Sequence, residues 1–217
     1  MALAIFDLDE TLIHGDCASL WSAQMARLGW VDGESFLQRD KELMEAYSKG
    51  LLAMEDYMAF SLEPLIGRTP EEVEHLVGPW VEDFIEPIIF SDATKTIAAH
   101  RKAGDRILVI SASGTHLVAP IAERLGIDEI LGIELEVERG FYTGKTTGVL
   151  TYREGKITRL LEWLDQEEEN LEGASFYSDS RNDLPLLLKV DYPHVVNPDA
   201  VLREQAVKSG WPIHTWS

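Results

Sequence analysis

Residues 3–11 read Leu-Ala-Ile-Phe-Asp-Leu-Asp-Glu-Thr, and this stretch decides how the rest of the chain is interpreted. Its first four residues predict a short buried strand, because strands of a parallel sheet are apolar on both faces. Asp7 and Asp9 follow at the carboxyl end, where a tight turn can bring both carboxylates to one metal ion. The alternative is an acidic turn in which Thr11 caps a helix, and this stretch alone does not separate the two.

Three further apolar runs indicate strands, and helical patterns lie between them. The runs follow turn signals and occupy residues 106–111, 174–178 and 194–196. Apolar residues recur with helical spacing at 93–102, 116–125 and 157–166. Alternating strands and helices predict an α/β fold, a doubly wound parallel sheet with helices on both faces.

Two segments depart from this alternation. Residues 15–88 form a long stretch of mostly helical patterns, which predicts a separate helical cap. The catalytic core would then comprise residues 1–14 and 89–217. Apolar and charged residues alternate around an Arg-Gly step in 133–144, which predicts a β-hairpin.

The chain is strongly acidic, with 38 Asp and Glu against 19 Lys and Arg and a formal charge of -19. This charge repels nucleic acid and anionic membranes, so neither is an expected partner. A small phosphate ester can still bind where a metal ion and a few cations reverse the local field. Cys17 is the single cysteine, which fits a reducing compartment. Since no stretch resembles a secretion signal or a membrane span, we expect a cytoplasmic protein.

Three later segments carry groups suited to phosphate chemistry. Ser111-Ala-Ser-Gly-Thr115 closes one strand and opens a helix, so it presents a hydroxyl and backbone N–H groups, although an ordinary N-cap has the same pattern. Lys156 opens another helix, where its charge opposes the helix dipole; an exposed surface lysine is the alternative. Asp179 and Asp183 span a strand-to-helix loop and suit a hard divalent cation, with capping as the alternative for Asp179.

Four motifs, each at a strand or helix end, resemble in their order the haloacid dehalogenase superfamily, and more narrowly its phosphoserine-phosphatase-like branch. They are D-x-D-x-T from Asp7, the Ser111 loop, Lys156 and D-x-x-x-D from Asp179. The resemblance covers nearly the whole chain and implies a Rossmann-like core with a mobile helical cap. It departs at Ser178 and Ser180, where the phosphoserine phosphatases typically carry glycine, so the path of this loop is less well predicted than its metal site.

The resemblance also implies a role for each matching residue. Asp7 would be the nucleophile, and Asp9 would protonate the leaving oxygen and later activate water. The expected Mg²⁺ ligands are Asp7, the backbone carbonyl of Asp9, Asp179 and, nearby or through water, Asp183. The expected phosphate-binding residues are Ser111, Ala112, Lys156 and Asn182. These groups are also what a phosphoryl transition state requires, because its charge spreads over the equatorial oxygens.

The predicted activity is therefore Mg²⁺-dependent hydrolysis of a small phosphate monoester through an aspartyl-phosphate. Two alternatives remain open at this point. One is a phosphotransferase that passes the phosphoryl group to an alcohol, and the other is a non-catalytic, metal-binding regulatory module that kept the fold. The sequence specifies neither the acceptor nor the oligomeric state.

The cap sequence bears on specificity through its charges. In the phosphoserine phosphatases that the chain resembles, a cap Glu holds the substrate amine and a cap Arg holds its carboxylate. Asp16 falls in the place of the Glu, although it is equally suited to cap a helix. Residues 54–64, the region of the Arg, contain no Lys or Arg. A substrate carboxylate would lack a partner there unless Arg39 or Arg68 reaches it.

These charges favour a phosphate monoester that carries an amine and lacks a carboxylate. Histidinol phosphate fits this description better than phosphoserine. Trp21 and Tyr57 are the aromatic residues expected to be available for its ring, with packing inside the cap as the alternative for Trp21.

Overall fold

A computed structural model describes residues 2–217, which form a seven-stranded sheet with helices on both faces. The strands are β1 (Leu3–Phe6), β2 (Arg106–Gly114), β3 (Glu129–Glu138), β4 (Phe141–Thr147), β5 (Ser175–Ser178), β6 (Tyr192–Val196) and β7 (Ile213–His214). Their order across the sheet is β4-β3-β2-β1-β5-β6-β7. All neighbours are parallel except β3 and β4, which form the predicted antiparallel hairpin. The predicted α/β class is confirmed.

Nine α-helices surround the sheet within residues 2–217. They are α1 (Cys17–Arg27), α2 (Gly33–Ser48), α3 (Met54–Leu62), α4 (Pro70–Trp80), α5 (Ser91–Ala103), α6 (Thr115–Arg124), α7 (Glu154–Gln166), α8 (Leu184–Leu187) and α9 (Ala200–Ser209). Short 3-10 segments lie at Glu63–Leu65, Glu86–Ile88 and Arg181–Asp183, and a π-helical turn lies at Val81–Ile85. None of the helices in this part of the chain has the length and apolar content needed to cross a membrane.

Side chains of β1 alternate between two hydrophobic clusters, one on each face of the sheet. Ala4 and Phe6 belong to one cluster, whereas Leu3 and Ile5 belong to the other. All four are almost fully buried. An apolar run without polar alternation therefore marks a strand covered on both faces. The central place of β1 in the sheet puts the residues that follow it at the middle of the carboxyl edge.

The ends of two elements differ from the sequence patterns by several residues. Strand β2 continues to Gly114 rather than Ser111, because Gly114 pairs again with Ile133 of β3 after an irregularity in the register. Helix α7 begins at Glu154, three residues before the apolar helical pattern at 157–166, and Lys156 lies in its first turn, as expected for a residue at the helix start. Element ends depend on tertiary pairing, which local propensity does not contain.

Residues 17–88 between β1 and α5 are entirely helical or connecting, as predicted. This segment packs on the sheet through the hairpin: the Gly67 N–H donates to the Tyr142 carbonyl at 3.0 Å, and the Tyr142 N–H to the Arg68 carbonyl at 2.9 Å. Its buried side chains join those of one sheet face in a single cluster. The division into a core of 1–14 and 89–217 and a cap of 15–88 stays a prediction.

Candidate active site

The chain turns sharply after β1, and this turn places two carboxylates at the edge of the sheet. The Asp7 N–H continues the parallel pairing by donating to the Tyr177 carbonyl at 3.0 Å. The Leu8 carbonyl then accepts the N–H groups of the next turn, and Glu10 takes a positive φ of 55°. Asp7 and Asp9 both line a cavity of about 230 Å³ as a result.

Lys156 is buried against the nucleophile candidate. Its Nζ lies 2.8 Å from Asp7 Oδ1 and 2.8 Å from the Asp183 carboxylate, and the side chain is only 2% exposed. Burial alone would lower the pKa of Lys156, but the charges of Asp183 and Asp7 outweigh it and raise the pKa. The ammonium is therefore permanently charged in the neutral range. Two carboxylates thus compensate a charge that, at the start of α7, opposes the helix dipole.

Asp7 itself stands in a strongly perturbed environment. Burial raises its pKa to about 7, with the charges of Asp183 and Asp9 adding to the increase and Lys156 opposing it. Lys156 is bonded to Oδ1, which leaves the second carboxylate oxygen for other partners at the cavity wall. A carboxylate held by one oxygen and open at the other has the arrangement that a nucleophile requires.

Asp9 connects the first strand to two other elements. Its Oδ1 accepts the Cys17 N–H at the start of α1 at 2.7 Å. Its Oδ2 accepts the Ser113 hydroxyl at 2.9 Å and, less closely, the Ser111 hydroxyl at 3.4 Å. The Asp9 carboxylate is thus held in one orientation by the start of α1 and the end of β2. A proton donor and acceptor held in this way is pre-oriented for general acid and base work.

The predicted phosphate-binding loop lies beside Asp9, but Ser111 does not line the cavity. Ser111 is fully buried, and its Oγ accepts the Ser113 N–H at 3.0 Å. Ala112 and Ser113 are the loop residues that reach the cavity. Ser113 was missed as a site residue, although period-two spacing along a strand that continues past Ser111 places both on the same side.

The two aspartates of the fourth motif separate in the structure. Asp179 lines the cavity, and its Oδ1 accepts the Thr11 hydroxyl at 3.3 Å while its N–H donates back to Thr11 Oγ1 at 3.1 Å. Burial, then Asp7 and Asp183, hold the pKa of Asp179 well above its usual range. Asp183 faces Lys156 and the Ser178 hydroxyl, 2.8 Å away, and does not line the cavity.

The donor set fits a hard divalent cation, with the protein supplying only part of its shell. No three carboxylate, imidazole or thiol groups of residues 2–217 surround a common point closely enough to hold an ion alone. Asp7 and Asp179 nevertheless line one cavity together with Asp9, and burial together with the charges of neighbouring carboxylates raises the pKa of both Asp7 and Asp179. Mg²⁺ suits such a site because it binds through a few carboxylates and keeps several waters.

The mostly helical segment between β1 and α5 forms one wall of the cavity, which is mostly apolar and contains one acidic residue. That wall consists of Asp16, Ala18, Met44, Tyr47, Ser48, Leu52, Met54 and Tyr57. No Lys or Arg of the described residues lines the cavity. Arg39 pairs with Glu42 at the surface, and Arg68 stacks on Trp30 at 3.5 Å. The predicted lack of a cationic clamp therefore agrees with the geometry.

Asp16 both caps a helix and lines the cavity, which are the two roles that the sequence suggested for it. Its Oδ1 caps α1 by accepting the Ser19 N–H at 2.8 Å, and the residue also lines the cavity. Burial, followed by the charge of Asp9, raises the pKa of Asp16 to about 8. No Lys or Arg of residues 2–217 lines the cavity, so a positively charged ligand group beside Asp16 would oppose this shift and favour the ionised carboxylate.

Trp21 and Asn182 both lie away from the cavity: for Trp21 the structure shows the packing role rather than substrate contact, and for Asn182 it departs from the expected phosphate-binding position. Trp21 is 2% exposed, packs edge-on against Trp30 and Trp80 and does not line the cavity. Asn182 is also buried away from the cavity, where its Nδ2 donates to the Tyr47 carbonyl at 3.2 Å. Packing between helices of the segment that follows β1 therefore explains the position of Trp21. The position of Asn182 is explained by its hydrogen bond to the end of α2.

Comparison with known proteins identifies the class to which this fold and site belong. The model of the haloacid dehalogenase-like hydrolase family matches residues 4–188, and the chain belongs to this family. It is 38% identical over 215 residues to a histidinol-phosphatase of Neisseria meningitidis, covering 97% of each chain. It is also 30% identical to a phosphoserine phosphatase of Mycobacterium tuberculosis, covering 98% of this chain and 70% of the relative.

Solved structures agree with this assignment. A protein of unknown function from Bordetella pertussis superposes with a TM-score of 0.91 at 34% identity, covering 98% of this chain and 97% of that one. A substrate-bound phosphoserine phosphatase superposes with a TM-score of 0.72 at 22% identity, covering 98% and 92%, which shows the shared fold. The chain is a phosphatase of the haloacid dehalogenase type.

Proposed function

We propose that this enzyme hydrolyses a small phosphate monoester through a phosphorylated Asp7, with Mg²⁺ as its cofactor. The observation that carries the proposal is the buried ammonium of Lys156, held 2.8 Å from both Asp7 and Asp183 beside the cavity. One fixed cation orients the nucleophile and also neutralises charge on the incoming phosphoryl oxygens. Such preorganised charge contributes most where water is excluded.

Asp7 and Asp9 divide the chemistry between them. An Asp7 oxygen attacks phosphorus while the bond to the ester oxygen breaks, and Asp9 delivers a proton to that oxygen. Water then attacks the phosphorus of phospho-Asp7, Asp9 takes the water proton, and phosphate leaves with the Asp7 carboxylate restored. The hydrogen bonds from the Cys17 N–H and the Ser113 hydroxyl keep Asp9 aligned through both steps.

Asp7, Asp179 and the backbone carbonyl of Asp9 would hold the Mg²⁺. When bound, the ion would neutralise negative charge on the phosphoryl group. Asp183 acts differently in this proposal: together with Asp7, it holds the Lys156 ammonium in place. Thr11 fixes Asp179 through two hydrogen bonds, which keeps that carboxylate at the cavity.

The substrate proposed is an amino alcohol phosphate with a heteroaromatic ring, histidinol phosphate being the candidate. The Asp16 carboxyl group would pair with the amine, whose positive charge favours its ionised form, and Met44, Leu52 and Met54 offer apolar surface for a ring. A substrate carboxylate would be desolvated without a cationic partner. The name of the neisserial relative supports the same choice.

The proposed substrate and the proposed cofactor can be tested together by measuring kcat/KM for histidinol phosphate and for phosphoserine, each with Mg²⁺ and with a chelator. We expect Mg²⁺-dependent turnover and a preference of at least about tenfold for histidinol phosphate, equivalent to about 1.4 kcal/mol. A preference of that size for phosphoserine would refute the substrate and leave the mechanism standing. Turnover that survives metal removal would refute the cofactor.

A further inference from the structure

Arg153, the residue before α7, has a backbone conformation that favours glycine. The Gly155 N–H donates to the Tyr152 carbonyl at 2.9 Å, which closes a turn with Arg153 at its first central position. The φ of 51° and ψ of -120° of Arg153 are those of a type II′ turn, in which glycine is preferred at this position. A residue with a side chain is strained there, and such strain concentrates at functional sites. An arginine in this position therefore directs attention to what its side chain does.

The side chain of Arg153 reaches the end of α2. Its Nη2 donates to the Gly50 carbonyl, and its Nε donates to Asn182 Oδ1 at 3.2 Å. Asn182 in turn donates from Nδ2 to the Tyr47 carbonyl at 3.2 Å. The contact is close, because a Cβ at Gly50 would come within 2.9 Å of Arg153 Nη2. Two backbone carbonyls at the end of α2 are therefore held by side chains far away in the sequence.

The end of α2 is a favourable place for an external cation. The last carbonyl groups of a helix have no partner inside the helix, and the helix dipole makes this end negative. Within the described residues 33–48, α2 has no basic residue in its last turn. The guanidinium of Arg153 thus supplies, from the turn before α7, the positive charge and the donors that this helix end does not itself contain.

The same helix end forms part of the catalytic cavity. Met44, Tyr47 and Ser48 of α2 line it, whereas Arg153 does not. The Tyr47 ring also lies beside the Tyr152 ring, with 5.7 Å between the centroids. A displacement of the end of α2 would therefore move part of the cavity wall.

The catalytic groups are held by other elements. Asp9 accepts hydrogen bonds from the Cys17 N–H and the Ser113 hydroxyl, neither of which belongs to α2. Asp7 is held by Lys156. The contacts of Arg153 with α2 thus bear on the wall beside the bound substrate, and the alignment of the reacting groups does not depend on them.

We propose that Arg153 is a positioning residue that fixes the end of α2, and with it one part of the cavity wall, for substrate binding. The inference rests on the proposed function in one respect: a phosphoryl group held at Asp7 places the rest of the substrate beside this wall. Contacts with the wall are made equally in the ground state and the transition state. Their loss raises KM and leaves kcat largely unchanged.

The test uses two variants, Arg153→Ala and Arg153→Gly, with p-nitrophenyl phosphate as the substrate. Both variants lack the guanidinium, and both should raise KM by about fivefold or more while kcat falls by less than about threefold. Inorganic phosphate has no group that reaches the wall, so its inhibition constant should change by less than about twofold. The glycine variant relieves the turn, and its Tm should exceed that of the alanine variant by about 2–4 °C.

Arg139→Ala is the matched control. Arg139 also has a positive φ, of 52°, but it is exposed at the tip of the hairpin between β3 and β4. This variant should keep KM within about twofold of the parent. The comparison separates the loss of the Arg153 side chain from the general effect of replacing an arginine in a strained turn.

Three results would overturn the inference. They are KM values of both variants within about twofold of the parent, a parental KM in Arg153→Gly alone, and an inhibition constant of phosphate that rises together with KM. The second result would show that the turn matters and the side chain does not. Since glycine suits this turn, Arg153→Gly provides the test even if Arg153→Ala folds poorly. Turnover that survives Asp7→Asn would refute the proposed function, whereas unchanged KM values in the Arg153 variants refute only the role of Arg153.

Discussion

The buried ion triad of Asp7, Lys156 and Asp183 shows how individual residues set the chemistry of this site. Removing charges from water costs free energy, and the cost is recovered only when the geometry and the remaining hydrogen bonds are good. Here one ammonium contacts two carboxylates at 2.8 Å, and Asp183 takes a further hydrogen bond from the Ser178 hydroxyl. The arrangement fixes one oxygen of Asp7, the proposed nucleophile, and it does so by burying charge.

The first prediction concerns Asp7. Asp7→Asn should lower kcat on p-nitrophenyl phosphate by at least about a hundredfold, or about 2.7 kcal/mol, because an amide is a poor nucleophile. The fold should persist, since Lys156 keeps Asp183 as a partner. Asp165→Asn, on the exposed side of α7, is the control and should change kcat by less than about twofold. Residual activity of Asp7→Asn within about tenfold of the parent would contradict the nucleophile assignment.

At the scale of elements, the start of α7 determines where Lys156 points. Arg153 precedes the helix with a positive φ of 51°, and Gly155 lies in the first turn. A Cβ at Gly155 would come within 1.9 Å of the Leu150 carbonyl oxygen, so only glycine permits this close approach. The Arg153 guanidinium also reaches the Gly50 carbonyl and Asn182, which connects this turn to the end of α2.

The second prediction therefore concerns Gly155. Gly155→Ala should lower the free energy of unfolding by about 1–3 kcal/mol and kcat/KM by more than about tenfold, because the helix start must shift and carry Lys156 with it. Urea unfolding and steady-state kinetics measure the two effects. Gly33→Ala, also in a first helical turn, meets only Ala26 at an ordinary 3.4 Å and should leave both quantities nearly unchanged. Equal behaviour of the two variants would show that α7 tolerates displacement.

On the scale of the whole molecule, the chain is strongly acidic, and several of its carboxylates line the cavity. The formal charge of -19 would oppose binding of a phosphate ester. Burial raises the pKa of Asp7 to about 7 and that of Asp16 to about 8, so the metal-free site holds protons near neutrality. Metal binding requires deprotonated carboxylates and therefore releases these protons.

The third prediction follows from the direction of these pKa shifts. Because the pKa values of Asp7, Asp16 and Asp179 are raised in the fold, the folded metal-free protein binds more protons at these groups than the unfolded chain does. Its free energy of unfolding should therefore fall between about pH 7.5 and about pH 8.5, where an unfolded histidine, with a pKa of about 6.5, is already mostly neutral. Mg²⁺ affinity should rise over the same range. Urea titrations with a chelator and calorimetric Mg²⁺ titrations measure the two trends. A Mg²⁺ affinity independent of pH would contradict the proposed ligands.

The sequence by itself determined the fold class and the residues at the floor of the site. Apolar runs followed by Asp7 and Asp179 carry this information locally, because parallel strands deliver the residues after them to one edge. The lack of Lys and Arg in residues 54–64 likewise predicted a cavity without a carboxylate clamp. These features depend on short stretches of chain and on composition.

Only the tertiary structure decided which side chains face the cavity. Lys156 meets Asp7 across 149 residues, and Asp183 turns to Lys156 rather than to the cavity. Trp21 and Tyr57 are both aromatic residues on helices of the insertion, yet only Tyr57 lines the site. Helical spacing specifies a face of each helix, but the direction of that face follows from packing between helices and sheet, which is set by contacts distant in sequence.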